Sequence, residues 1–160
     1  MTTSCSFPIP APTRRRLRVF VGDPLVQRGY DDHLVLDIPN EALRPGPVGE
    51  RIAVIDYDAV LDCYYQPVDL NAPALLMQDG IAPSESSDPR FHQQMVYAVA
   101  MKVLETFDRA LGRRIYFECP LKSIRRPLRL FPHAFQQRNA FYDPSSSAIY
   151  FGYFRTTATT

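Results

Sequence analysis

The sequence predicts an α+β fold: a mainly antiparallel β-sheet packed on one long α-helix, about residues 88–111, and closed by a C-terminal β-hairpin, about residues 138–154. Three observations predict it. Short β-prone runs bounded by Gly, Pro and Asp lie before Asn71. A single unbroken helical pattern follows Asp88. Two strand-like runs near the end are joined by Asp143-Pro144 and three serines, a sequence suited to a tight turn.

The first strand is Arg16 to Val21, where Leu17, Val19 and Val21 alternate with Arg16, Arg18 and Phe20 as in a half-buried strand. Gly22-Asp23-Pro24 ends it. His33 to Pro39 and Arg51 to Asp58 supply two more, and Cys63 to Leu70 a fourth, whose Pro67 places it on an edge or at a bulge. Asn71 to Asp88 holds two prolines, a glycine and a run of serines, and reads as a loop with one helical turn. In the long helix Asp88 is the N-cap, and Pro89 takes the first helical position, where its missing N–H costs nothing. Phe91, Met95, Val99, Val103, Phe107 and Leu111 recur every four residues; with Val96, Ala100, Leu104 and Ala110 they form a wide apolar stripe. Gly112 offers a left-handed stop, and Arg113-Arg114 complement the helix dipole. Arg114 to Cys119, Pro127 to Phe135, Arg138 to Asp143 and Ala148 to Phe154 read as the remaining strands.

A chain of 160 residues fits one domain with a real core. The expected organisation is a disordered tail over 1–13, one domain over 14–154 and a second tail over 155–160. Charged residues make up 22% and cancel to a net +1, so no nucleic-acid footprint follows even though all basic residues but Lys102 and Lys122 are arginine. Cys5, Cys63 and Cys119 are odd in number and lack C-x-x-C spacing, which argues against a disulfide framework and a zinc knuckle and for a reducing compartment. No signal-peptide core or membrane-spanning run is legible, so the expected location is cytoplasmic, with no membrane partner.

The chemistry is sparse. His33, His92 and His133 are scattered, and no H-E-x-x-H occurs. His92 reads as a surface or hydrogen-bonded residue and His133, in Phe-Pro-His-Ala-Phe, as a packed loop histidine. No G-x-S-x-G or phosphate-cradling glycine loop is present. Asp56, Asp58 and Asp62 begin like a calcium loop but lack its glycine and glutamate, and read as a solvated turn.

The run from Phe91 to Phe117, followed by a strand and by Asn139-Ala140-Phe141-Tyr142 with its hairpin to Phe154, resembles the N-terminal half of thermolysin-like zinc metallopeptidases, the gluzincins. In that family a long helix is followed by strands and by an Asn-Ala-Phe-aromatic segment that returns into a Tyr-Gly strand. There the Asn-Ala strand is the upper edge of the active-site cleft, and substrate adds to it as a strand. The resemblance implies that Asn139, Ala140, Phe141 and Tyr142 are substrate-positioning residues. Tyr142 stands where the family commonly has Trp, and an acidic Gly-Asp-Gly is here Gly152-Tyr153-Phe154.

In the family the H-E-x-x-H helix comes after this hairpin. The resemblance therefore implies no zinc or other cofactor in this chain, zinc in a longer parent enzyme, and no catalysis by the chain alone. The implied partner is a peptide or protein substrate. A different reading makes the chain an interaction module that uses the C-terminal hairpin, with self-association through 148–154.

Overall fold

The computed structural model describes residues 12–21, 33–82, 87–119 and 124–154. The turn at Gly22-Asp23-Pro24 and the tails expected over 1–13 and 155–160 lie outside the described residues, apart from Pro12 and Thr13, whose carbonyls accept from Asn40. The elements in chain order are β1 (Arg14–Phe20), β2 (His33–Pro39), β3 (Ile52–Val54), β4 (Tyr57–Asp58), β5 (Cys63–Tyr64), α1 (Pro73–Met77), α2 (Pro89–Leu111), β6 (Phe117–Cys119), β7 (Ile124–Arg126), β8 (Leu128–Phe135), β9 (Ala140–Asp143) and β10 (Ala148–Gly152).

The class is α+β, with one long helix and a closing β9–β10 hairpin. The pairs β1–β2, β4–β5, β6–β7 and β9–β10 are antiparallel. The central sheet runs β3-β8-β10-β9, and two of its three pairings, β3–β8 and β8–β10, are parallel. The strand expected over 51–58 breaks in two at Ile55-Asp56. Of the strand expected over 63–70, only Cys63–Tyr64 pairs as a strand; the stretch beyond Pro67 is held by a side chain, with Val68 N donating to Gln93 Oε1 at 2.9 Å.

Helix α2 starts and stops as its sequence dictates. Asp88 accepts from the Arg90 N–H at 2.9 Å, and Gly112 takes φ 65°, a left-handed conformation suited to glycine. The side that faces the core differs from the four-residue row. Phe91, Gln93, Gln94, Tyr97, Ala98, Met101 and Leu104 are buried, whereas Val99, Val103, Phe107 and Leu111 are exposed. The reason is that α2 is apolar on both sides, so periodicity alone does not choose between them. Two buried glutamines settle it by supplying donors and acceptors to loops: Gln94 takes the Ile81 N–H and donates to the Arg18 carbonyl, and Gln93 takes Val68.

Against this face pack Leu17 and Val19 of β1, Ile38 of β2, Ile52 and Val54 of β3, and Leu128 and Leu130 of β8. The far end of the helix is fastened by a bidentate pair: Arg51 Nη1 and Nη2 donate to Asp108 at 2.7 and 2.9 Å, and Asp108 also accepts from Ile115 N.

One irregularity shapes the site. Phe131 pairs with Tyr150 but Phe135 pairs with Gly152, so four residues of β8 run beside two of β10. Pro132, which has no N–H to donate, sits in this bulge, and His133 beside it is buried.

Candidate functional site

The four residues implied by the resemblance come together on one edge. β9 is the last strand of the central sheet, and among the described residues no strand pairs with its outer side. Gly152 N–H donates to the Asn139 carbonyl at 2.8 Å. Antiparallel ladders alternate, so this bond turns the backbone groups of Phe141 toward its partner Tyr150 and those of Ala140 and Tyr142 toward the open side. The Ala140 N–H is taken by Asn139 Oδ1 at 2.9 Å. The edge therefore presents the Ala140 carbonyl and both backbone groups of Tyr142. The Asn139 Nδ2 amide is the part of that side chain able to donate outward.

Phe141 and Tyr142 are 49% and 51% exposed and lie on opposite faces of the strand. Phe141 stacks on Tyr150 at 5.1 Å and on Phe135 at 5.6 Å, and Tyr150 stacks on Phe131 at 4.8 Å. This aromatic row stiffens the edge from one side. The turn behind it is set by Asp143, whose Oδ1 accepts from the Ser145 N–H at 2.9 Å, and by Ser147 at φ 49°.

A second group of side chains gathers beside the bulge. Asp56 and Asp58 do not lie in a solvated turn; they are 6% and 0% exposed. Asp56 Oδ1 lies 2.6 Å from His133 Nδ1, and its Oδ2 accepts from Gln93 Nε2 at 2.9 Å. His133 Nε2 lies 2.8 Å from His92 Nδ1, so a carboxylate and two imidazoles form one hydrogen-bonded chain. Asp58 accepts from the N–H groups of Val60 and Leu61 at 2.9 and 3.0 Å and from the hydroxyls of Tyr65 and Tyr153 at 3.0 and 2.8 Å. Burial pushes the Asp58 carboxyl up, but these four donors outweigh it and hold the group below the usual carboxylate range. Burial first, and then the Asp58 carboxylate, pushes the Tyr65 hydroxyl up to about 12.

The His133 ring meets Tyr65 and Tyr153 edge-on at 5.0 and 5.5 Å. These rings, with His92, Val60 and Leu61, line a cavity of about 400 Å³. His33 stands apart at the start of β2. Sequence reading missed this cluster. Its signals were two carboxylates at strand spacing, which share a face, and a proline inside a strand-like run, which marks a bulge.

Among the described residues no three His, Cys, Asp or Glu side chains converge as a metal site, and no helix is long and apolar enough to cross a membrane. Comparison with protein-family models, with curated proteins and with solved structures found no match. Fold and site together define an α+β domain with an open, aromatic sheet edge and a hydrogen-bonded carboxylate–imidazole chain.

Proposed function

We propose that this chain is a thermolysin-like, gluzincin-type N-terminal domain whose β9 edge holds an extended peptide by strand addition. One observation carries the proposal: the outward backbone groups at Ala140 and Tyr142, on an edge strand whose Phe141 and Tyr142 side chains are half exposed. In this mode main-chain hydrogen bonds supply affinity, and side chains on alternate faces supply selectivity. The role of Asn139, Ala140, Phe141 and Tyr142 is positioning. In the enzymes that the sequence resembles, zinc and its ligands are supplied by a segment after the hairpin.

The test is titration of the isotope-labelled chain with a blocked extended peptide, acetyl-Phe-Leu-Ala-amide, against Tyr142→Pro. That substitution deletes an outward N–H and leaves the β9–β10 ladder intact. Binding that shifts the Tyr142 amide and falls at least about tenfold in the variant supports the proposal. Equal binding by both forms contradicts it. The half-exposed aromatics also favour a second reading, a module that docks a partner protein through the hairpin. Concentration-dependent dimers in sedimentation that Tyr142→Pro disperses, with no peptide binding, would select it.

A further inference from the structure

We propose that the β9 edge pairs with the β9 edge of a second copy of this chain, antiparallel, with Phe141 on the two-fold axis. This pairing rests on the reading of β9 as a strand-accepting edge and names what the edge accepts. The backbone sets the register. Ala140 and Tyr142 turn their groups outward, so an added strand bonds at these two positions. A two-fold at Phe141 sets Tyr142 of each copy against Ala140 of the other, and each Tyr142 N–H donates to the opposite Ala140 carbonyl. The Ala140 N–H keeps its own Asn139 Oδ1, at 2.9 Å. A two-fold at Tyr142 would instead set Ala140 against Pro144, which has no N–H to give its carbonyl.

The side chains select the same register. Phe131, Tyr150 and Phe141 form a row across β8, β10 and β9 in steps of 4.8 and 5.1 Å, close to the spacing of strands, and the row stops at a half-exposed ring. The two-fold places the second Phe141 directly opposite, in the closer, non-hydrogen-bonded kind of pair, and so continues the row through the second copy. On the same face Asn139 of each copy meets Asp143 of the other. Asn139 Nδ2 is a donor, and the Asp143 carboxylate, which accepts from the Ser145 N–H and hydroxyl at 2.9 and 2.7 Å, has lone pairs left for it. On the opposite face Ala140 lies against the Tyr142 ring, small against large. A two-fold at Tyr142 would set Phe141 against the Asp143 carboxylate.

From Asn139 to Tyr142 the edge carries no charge, proline or bulge, the devices that keep sheet edges from pairing. The sheet's other edge is closed by the chain itself: Gly49 N–H donates to the Ile52 carbonyl at 2.8 Å, and Val54 N–H to the Pro47 carbonyl at 3.0 Å. A contact that uses β9 on both sides therefore stops at two copies. Strands this short bury well under the roughly 800 Å² per partner of a stable interface, so the dimer is weak and concentration-dependent. It also occupies the peptide edge. At a chain concentration about ten times the dimer dissociation constant, about one-fifth of the chain is monomer, and apparent peptide affinity falls about fivefold.

The test is sedimentation equilibrium of the full chain from micromolar to millimolar concentration, with magnetic resonance on a mixture of isotope-labelled and unlabelled copies. The expected result is a monomer–dimer equilibrium, with contacts between copies from Phe141 ring to Phe141 ring and from the Ala140 methyl to the Tyr142 ring. Asn139→Asp keeps an oxygen to cap the Ala140 N–H but opposes two pairs of carboxylates, and is expected to weaken the dimer at least about tenfold. Tyr142→Pro removes both donated N–H groups and is expected to weaken it by as much. A chain that stays monomeric at millimolar concentration overturns the proposal. If that monomer still binds acetyl-Phe-Leu-Ala-amide and Tyr142→Pro abolishes the binding, the edge reading stands and only its partner is wrong; if neither dimer nor peptide complex forms, both fall. A dimer without Phe141–Phe141 contacts, or one that both variants leave equally tight, also overturns the proposal.

Discussion

Gly152→Ala tests how the β9 edge is held. A Cβ built at Gly152 would collide with the Gln137 carbonyl oxygen and stand 2.7 Å from Phe135 Cε2 and 2.9 Å from the Asn139 carbonyl oxygen. Two of these are backbone atoms in the segment leading into β9, and the third belongs to a ring stacked on Phe141 at 5.6 Å. No flexible side-chain end is there to move aside. The segment from Gln137 to Asn139 must shift, which misaligns Gly152 N to Asn139 O at 2.8 Å and Asn139 N to Gln137 O at 3.0 Å. Overpacking at about 1–3 kcal/mol and two weakened hydrogen bonds at about 0.5–1 kcal/mol each give an expected loss of about 3 kcal/mol. In a chain of this size that lowers Tm by roughly 6–12 °C. The assay is urea unfolding at equilibrium, with amide exchange across the hairpin. A midpoint equal to that of the parent chain, with β9–β10 amides equally protected, would refute the close approach at Gly152.

Asp108→Ala should cost about 3 kcal/mol in urea unfolding, because it strands the buried Arg51 guanidinium; adding Arg51→Met should recover much of the loss. Arg14, and then Lys102, hold the Glu105 carboxyl at about 2, below its ordinary 4.5. A depressed carboxylate stabilises the fold above its unfolded value, so this contribution is complete above about pH 4.5 and disappears as pH falls toward 2. Glu105→Gln should therefore lower stability at pH 7 by about 1 kcal/mol after solvent screening, and leave it little changed near pH 2. Val103→Lys should shift the unfolding free energy by no more than about 0.5 kcal/mol, since Val103 faces solvent, whereas Met101→Lys should lose several times that.

Some of this molecule is legible in its sequence. The helix ends are, because Asp88-Pro89 and Gly112 act through their own backbone geometry and need no tertiary partner. The hairpin is, because Asp143-Pro144 fixes its turn locally. The inner face of α2 is not. Val99, Val103 and Phe107 are as apolar as Tyr97, Met101 and Leu104, and the choice is made by Gln93 and Gln94 bonding to loops far away in sequence. The hydrogen-bonded chain from Asp56 through His133 to His92 is hidden for the same reason. It joins residues 77 and 41 positions apart, brought together by a bulge whose only local sign is Pro132. The four edge residues emerged from a resemblance, and their spatial grouping follows from β9 being last in the sheet.

The most direct measurement is the affinity of acetyl-Phe-Leu-Ala-amide for the parent chain and for Tyr142→Pro, with the hairpin amides read in the same spectra. Strand addition at β9 predicts that the variant keeps its β9–β10 cross-strand contacts and loses at least about nine-tenths of the affinity. Full affinity in a variant whose hairpin is intact would contradict it.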